Sequence, residues 1–599
     1  MWLLPWNAHS DFLSQYEIGD QVPSFSDRSI WTLFHAKKKG TNVPLSIFRF
    51  DIREPGQSSI VDQAKQALKR IKTLRHPSIL KYVDSCENDK LICIVTEGVS
   101  PLADYLNKAQ LDLSQGQRDF SIAYGLLTIA KGLEFMNNGQ LNHNNINIHS
   151  IFVNSSEVWK IGGLDYVCSV DEQPNKLHDG LDEKYTPPER LDPTKARHPG
   201  GKFAPDSWGM GCLVWECFNK PLTPSSSVKT VGKMPKQLGV HYNKLVQSSP
   251  KHRVSPIEFV NNCKAANVFF ASPQLGLVAT IEEIQFVKDP AEKERIFGEL
   301  EGHLGDLPKD FCKNKILSDL INAFEFGEAG AAILNPLFKI GKLLNEPEFQ
   351  EKLAPCIVKL YQCKDRATRA KLLQQIETYI DYLSEDVINN QLFGQIVQGF
   401  HDSNFAIRSQ TIKSVFHLAP KLSCLNLNEE LMKNLTPLVL RDKEGGIRAN
   451  SAVCLTKIAR HLSVETQTTI LLPTLLNAMR DPFPPARHAA AAGLLTHESL
   501  FKDSDCANKI MPALCHLTLD ADIKVRQLAF HALKLFIKRF EALSEKEAAA
   551  TTTTTTSGGD KEGDTNAPLS RRPAKSNSDT KATGGRRVAE AETGDSKED

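Results

Sequence analysis

The chain has 599 residues, 41% of them hydrophobic and 24% charged, and 72 Lys+Arg against 71 Asp+Glu leave a net charge of +1. Those proportions exclude collagen-like, wholly disordered and integral-membrane chains, and the missing basic excess argues against non-specific binding to nucleic acid or anionic lipid. At about 100 to 200 residues per domain, three to five folded units fit. The 13 cysteines, from Cys86 to Cys515, include no CxxC pair. The odd count speaks against a disulfide framework and a zinc site, and for a reducing compartment. The apolar start, residues 1–6, lacks a basic leader and is soon cut by Asp11, so no export signal is expected. No run reaches the roughly 18 apolar residues of a membrane span, which leaves membrane roles to partners.

Residues 15–260 alternate short β-like runs, such as Leu45-Ser46-Ile47-Phe48 and Ile92-Cys93-Ile94-Val95, with amphipathic stretches such as 123–136. A mixed α and β domain is predicted. Late in this zone stand Thr186-Pro187-Pro188-Glu189, then Asp206-Ser207-Trp208-Gly209-Met210-Gly211-Cys212-Leu213, then Pro250-Lys251-His252-Arg253. Their order and spacing resemble the end of a protein-kinase activation segment, the helix after it, and the later loop whose Arg pairs with the activation-segment Glu. The resemblance implies a bilobal kinase-like domain over 1–265, with structural roles for Asp206 and Trp208 and an ion pair between Glu189 and Arg253.

The positions that carry phosphotransfer in that frame read differently. A kinase needs a Gly-rich turn over the phosphates, a strand Lys, a helix Glu holding it, a carboxylate base and two magnesium ligands. Of the Gly-rich turn only Gly19 remains, and Pro23 removes an amide donor. Phe48 stands at the strand Lys position, and Ala67, nine residues before His76 of His76-Pro77, at the helix Glu position. In His143-Asn144-Asn145 the base becomes Asn145, and an amide cannot accept the substrate proton as a carboxylate does. Ser150 replaces the metal-binding Asn, and in Lys160-Ile161-Gly162-Gly163-Leu164-Asp165 the main magnesium ligand becomes Gly163. Asp165, two residues on, lies roughly 6 to 7 Å away along an extended chain, too far to substitute. His143 reads as a core histidine bracing the loop. No catalytic, cofactor or metal site is expected, and the domain is predicted to be a pseudokinase.

From about 280 to 540 the β signal disappears and apolar residues recur at helical spacing. Arg369, Arg408, Arg448, Arg487 and Arg526 follow one another at intervals of 39, 40, 39 and 39 residues, a period of paired-helix solenoids. Six residues before the last four stand Asp402, Asp442, Asp481 and Asp520, while the first unit has Cys363 there and Asp365 nearby. Each Asp is expected to cap a helix and each Arg to open the second helix of its unit, pairing with the Asp of the same or the next repeat. Seven and fourteen residues past each Arg come apolar side chains, Ile376 to Leu533 and Leu383 to Phe540, which predict a buried helix face. The pattern resembles HEAT repeats, with 283–345 expected to add one or two less regular leading units. After Ser544 six threonines and a polar sequence almost free of large apolar residues predict a disordered tail. The fold class read here is multidomain, α+β then all-α: kinase-like domain 1–265, HEAT-like solenoid 266–543, tail 544–599.

A defective kinase frame, HEAT-like repeats and a polar tail together resemble the Scy-like pseudokinase family over about residues 1–545. Lys72-Thr73-Leu74-Arg75-His76-Pro77, Gly162-Gly163-Leu164-Asp165-Tyr166, Ala323-Phe324-Glu325-Phe326-Gly327 and Leu418-Ala419-Pro420-Lys421-Leu422 carry the likeness. The resemblance implies a cytoplasmic, Golgi-associated scaffold without phosphotransfer or cofactor. It would act in vesicle traffic between Golgi and endoplasmic reticulum through coatomer and Arf-class small GTPases. Some relatives are also linked to tRNA export. The family member most like this chain ends in a dibasic coat-binding signal, whereas this sequence ends Ser596-Lys597-Glu598-Asp599. The expectation is a shortened or variant form, or coat binding through the solenoid. Two rivals follow, a tRNA-binding solenoid and an atypical active kinase, and self-association stays open. Lys37-Lys38-Lys39 reads as a solvated turn before Gly40, Arg571-Arg572 and Arg586-Arg587 as chance pairs or trafficking signals, and residues 1–6 as packing on the upper sheet.

Overall fold

The computed structural model describes residues 10–26, 29–41, 43–52, 60–172, 183–191, 201–223, 227–327, 330–363 and 365–555. Residues 1–6, both tail arginine pairs and the terminal Ser596-Lys597-Glu598-Asp599 lie outside the described residues. The chain divides into two compact units, Met1–Ala532 and Leu533–Asp599.

The first unit opens with an antiparallel sheet of β1 (Tyr16–Gln21), β2 (Thr32–Lys38), β3 (Pro44–Asp51), β4 (Tyr82–Glu87) and β5 (Leu91–Glu97), in the order β1-β2-β3-β5-β4. The central pair is buried on both faces along most of its length, with Ile47 opposite Val95 and Phe48 opposite Ile94. The edge strands carry Glu17, Asp20, Asp84 and Glu87, which discourage further pairing. At the end of β2, Lys37, Lys38 and Lys39 are exposed before Gly40, whose φ of 75° suits glycine. Helix Val61–Thr73 buries Ala64, Ala67, Leu68 and Ile71, one stripe at helical spacing. Below the sheet, helix Gln115–Asn138 starts at a Ser114/Gln117 capping box and is buried along most of its length. Helices Ala204–Phe218 and Pro256–Ala265 complete this lower lobe.

From Pro273 onward every regular element is helical. The lobe is joined to the helical region through a shared core. Phe311 packs edge-on against Phe120 and Tyr124 of the long lobe helix, with centroids 5.2 and 5.0 Å apart. Tyr124 Oη donates to Glu282 Oε1 at 2.8 Å, Glu282 pairs with Lys315 at 3.0 Å, and Gln117 Nε2 donates to the Leu307 carbonyl at 3.1 Å. Apolar rings and satisfied polar groups thus fix the lobe on the first helices, and the sequence gives no periodic signal for this contact.

The repeat arginines occupy the fourth position of helices Arg366–Gln374, Phe405–Leu418, Gly445–Ile458, Pro484–Thr496 and Ile523–Thr555. Seven residues on, Ile376, Val415, Leu455 and Leu494 are buried, as are Leu383, Leu422, Leu462 and Phe501 fourteen residues on. The aspartates depart from the expected role. Asp402, Asp442, Asp481 and Asp520 accept from the amides of Asn404, Glu444, Phe483 and Asp522, all within the turn. Each therefore shapes the turn two residues before the helix cap. The partner helices of successive units contain π-helical turns near their starts, Val387–Leu392, Asn426–Glu430, Gln467–Leu471 and Cys506–Ile510. Helix Ile523–Thr555 also runs past Ser544, where the sequence reading starts the tail. Glu545 to Ala550 are strong helix formers that extend it.

Candidate functional site

In the lower lobe, the kinase-type architecture is held by polar contacts. Arg253 Nη1 and Nη2 each donate at 2.7 Å to the two carboxylate oxygens of Glu189, a bidentate pair, and Nη1 also reaches the Ala204 carbonyl at 3.1 Å. The Arg253 side chain is fully buried and its guanidinium lies 5.0 Å from the Trp208 ring. Asp206, buried in the same helix, accepts from the amides of His143 and Asn144 at 2.9 and 2.8 Å and from Asn137 Nδ2 at 3.2 Å. It clamps the catalytic-type loop. His143 is wholly buried; its Nδ1 accepts from the Asn145 amide at 3.2 Å, so Nε2 donates to the Gly162 carbonyl at 2.7 Å. Burial holds its pKa below the ordinary value, and it is a neutral brace for the loop.

The cleft between sheet and lower lobe brings the altered positions together. Pro23 opens a short helix, Pro23–Ser26, where a kinase has its glycine turn. That helix drives Phe25 inward against Phe48 and Phe152, with centroids 5.9 and 5.4 Å away, while Phe48 and Phe152 meet edge-on at 5.3 Å. Three rings pack together on the side of the cleft where a kinase closes its glycine turn on the nucleotide. The strand segment linking the lobes has its polar backbone engaged too. The Gly98 amide donates to the Pro44 carbonyl at 3.0 Å, and the Val99 amide to Ser46 Oγ at 3.0 Å. Phe48 could be read from the sequence as a lost lysine; Phe25 and Phe152 as its packing partners could not, because the contact joins distant segments.

Around the former metal position, the groups present do not fit magnesium and phosphates. Gly163 has φ 61° and no side-chain donor, and a Cβ there would lie 2.8 Å from the Ser150 Cβ. Ser150 Oγ donates to the Asn147 carbonyl at 3.0 Å. Asn145 Oδ1 accepts from Asn147 Nδ2 at 2.8 Å, and Ala67 offers only a methyl group. Among the described residues Asp165 is the one carboxylate in the cleft lining, but its Oδ1 is taken by Trp31 Nε1 at 2.6 Å. Burial pushes its pKa up to about 6. Among the described residues no cluster of three His, Cys, Asp or Glu is arranged to hold a metal ion.

In the solenoid the repeat arginines form a continuous ladder. Arg408, Arg448 and Arg487 each donate through Nε and Nη2 to the aspartate of the next unit, Asp442, Asp481 and Asp520, at 2.7 to 3.1 Å. Nη1 of each reaches back to the carbonyl of its own unit's aspartate. The ends differ. Arg369 makes one contact of 3.4 Å to the Cys363 carbonyl while Arg366 approaches Asp402 at 3.6 Å, and Arg526 Nη1 bonds the Asp520 and Ala521 carbonyls. Lys421 adds a second tie, donating to the carbonyls of Ile380, Asp381 and Leu383 in the preceding unit.

A bilobal kinase fold with a rebuilt cleft, fused to a helical-repeat region, defines a kinase-like solenoid protein. Residues 35–267 match the family model "Protein tyrosine and serine/threonine kinase". The chain is 34% identical to the probable inactive serine/threonine-protein kinase scy1 of Dictyostelium discoideum, over 88% of this chain and 63% of that protein. It is 26% identical to protein kinase domain-containing protein ppk3 of Schizosaccharomyces pombe, over 89% of this chain and 81% of that one. The crystal structure of Cex1p, 22% identical, shares the fold with a TM-score of 0.59, covering 90% of this chain and 98% of Cex1p. The chain is thus similar to the Dictyostelium scy1 protein and its fission-yeast counterpart along most of its length, and it spans less than two thirds of the length of the Dictyostelium relative. Among the described residues no helix is long and apolar enough to cross a membrane.

Proposed function

We propose that this chain is a non-catalytic scaffold in which the kinase-type lobe, dividing from the solenoid near residue 265, serves as a fixed end-piece of an extended protein-binding surface. The observation that carries the reading is the cleft, where Phe25, Phe48 and Phe152 pack on one another and Gly163, Asn145, Ser150 and Ala67 supply no base, metal ligand or ion-pair partner. Loss of one such part costs a kinase orders of magnitude in rate, and all are replaced at once. Glu189, Arg253, Asp206, Trp208 and the five repeat arginines act in structure rather than chemistry.

The scaffold works in the cytoplasm at Golgi membranes, in retrograde traffic to the endoplasmic reticulum, with coatomer subunits and Arf-class GTPases as partners. Similarity to the Dictyostelium scy1 protein supports this assignment, and a solenoid of paired helices offers the extended surface that such assemblies use. Affinity purification of the full-length chain from cytosol tests it. Reproducible recovery of coat subunits or Arf-class GTPases is expected. Their absence, with tRNA enriched in a salt-dependent manner instead, would transfer the role to RNA transport.

A further inference from the structure

Beside the three rings the cleft keeps a cavity of about 540 Å³, lined by helix Val61–Thr73, the sheet, the loop residues Asn145, Asn147, His149 and Ser150, and the turn at Leu164–Tyr166. Its size falls among small-molecule sites. Ile60, Ala67, Ile71, Leu80 and Ile94 make an apolar wall. No lysine or arginine is among the described residues that line it, so a phosphate or carboxylate would enter without a counter-charge. Asp165 repels anions further, and its Oδ1 is already engaged by Trp31 Nε1. One lining group lacks a partner. Gln63 Oε1 is buried and accepts no hydrogen bond among the described residues, a state that costs free energy until a donor reaches it.

We propose that this cavity binds a neutral, planar small molecule that donates a hydrogen bond to Gln63 Oε1. The aromatic triad, which closes the nucleotide side, forms one wall of the new site through Phe25, Phe48 and Phe152. Such a ligand would stabilise the seating of helix Val61–Thr73 against the sheet and so link small-molecule binding to the shape of the scaffold's end-piece.

Calorimetric titration of the full chain with 2-naphthamide, a neutral bicycle carrying an amide N–H, tests the site, with 2-naphthoate and magnesium-ATP run alongside. Saturable binding of the amide at one per chain is expected, with the carboxylate weaker by about tenfold or more. Gln63→Leu, which keeps the volume and removes the acceptor, should weaken the amide by about tenfold. Ala67→Phe should fill the cavity and abolish binding; should that variant not fold, Gln63→Leu carries the test alone. No saturable amide binding, equal affinity for amide and carboxylate, or an unchanged affinity in Gln63→Leu would overturn the proposal. The magnesium-ATP titration reports on the scaffold role separately.

Discussion

The cleft and the arginine ladder are built from opposite uses of charge. In the cleft the positions read from the sequence as those a kinase fills with Lys, Glu and Asp hold Phe48, Ala67, Asn145 and Gly163, and the carboxylate of Asp165 is capped by an indole N–H. In the ladder every internal arginine keeps a bidentate carboxylate partner in the next unit. The same chain thus removes ionic groups where they would act on a ligand and retains them where they join repeats. The near-equality of 72 basic and 71 acidic residues is partly the outcome of such internal pairing.

The comparison can be broken most forcibly at Phe48. Phe48→Lys would delete a buried ring from the triad and leave an ammonium without a carboxylate at Ala67, so about 3 to 5 kcal/mol of stability should be lost, with no gain in magnesium-ATP binding. Urea unfolding of the variant measures it. In the ladder, Arg448→Ala would leave the nearly buried Asp481 without its cation and should cost about 3 kcal/mol, whereas Arg526→Ala, which bonds backbone carbonyls and no carboxylate among the described residues, should cost about 1 kcal/mol. Similar losses for the two variants would argue against a cooperative ladder.

The pH dependence sharpens the contrast because the signs are opposite. The hydrogen bond from Arg487 holds Asp520 below its ordinary pKa, so its contribution is present above the unfolded value near 4 and is lost as pH falls through the lower folded value. Burial raises Asp165 to about 6, so the folded state holds the extra proton and stability declines as pH rises from about 4 to about 6. Asp165→Asn should remove that decline, a change on the order of 2 kcal/mol between those limits, and Asp520→Asn should remove the acid-side loss. A modest effect is also expected at Gly163, where Gly163→Ala meets both the positive φ and the Ser150 side chain and should cost about 1 to 2 kcal/mol in thermal unfolding.

Motifs that are local in sequence were legible from it. Thr186-Pro187-Pro188-Glu189 and Pro250-Lys251-His252-Arg253 announce the lobe, and the 39-residue recurrence of arginine announces the solenoid. What escaped depends on contacts between distant segments or on local backbone detail. Phe25 and Phe152 meet Phe48 across the cleft, and Phe311 reaches Phe120 and Tyr124 across the lobe boundary. The repeat aspartates looked like helix caps because Asp favours both caps and turns, and only the backbone decides that they serve the turn. The buried, unpartnered Gln63 Oε1 has no signature at all, since a Gln on an amphipathic helix ordinarily faces water.

The central claim, that the cleft no longer serves phosphotransfer, is tested most directly by following thermal unfolding of the full chain while magnesium-ATP is titrated. The account predicts an unfolding temperature that does not move with nucleotide. A saturable rise, reaching about 2.7 kcal/mol of added stability at 100 times the dissociation constant, would contradict it.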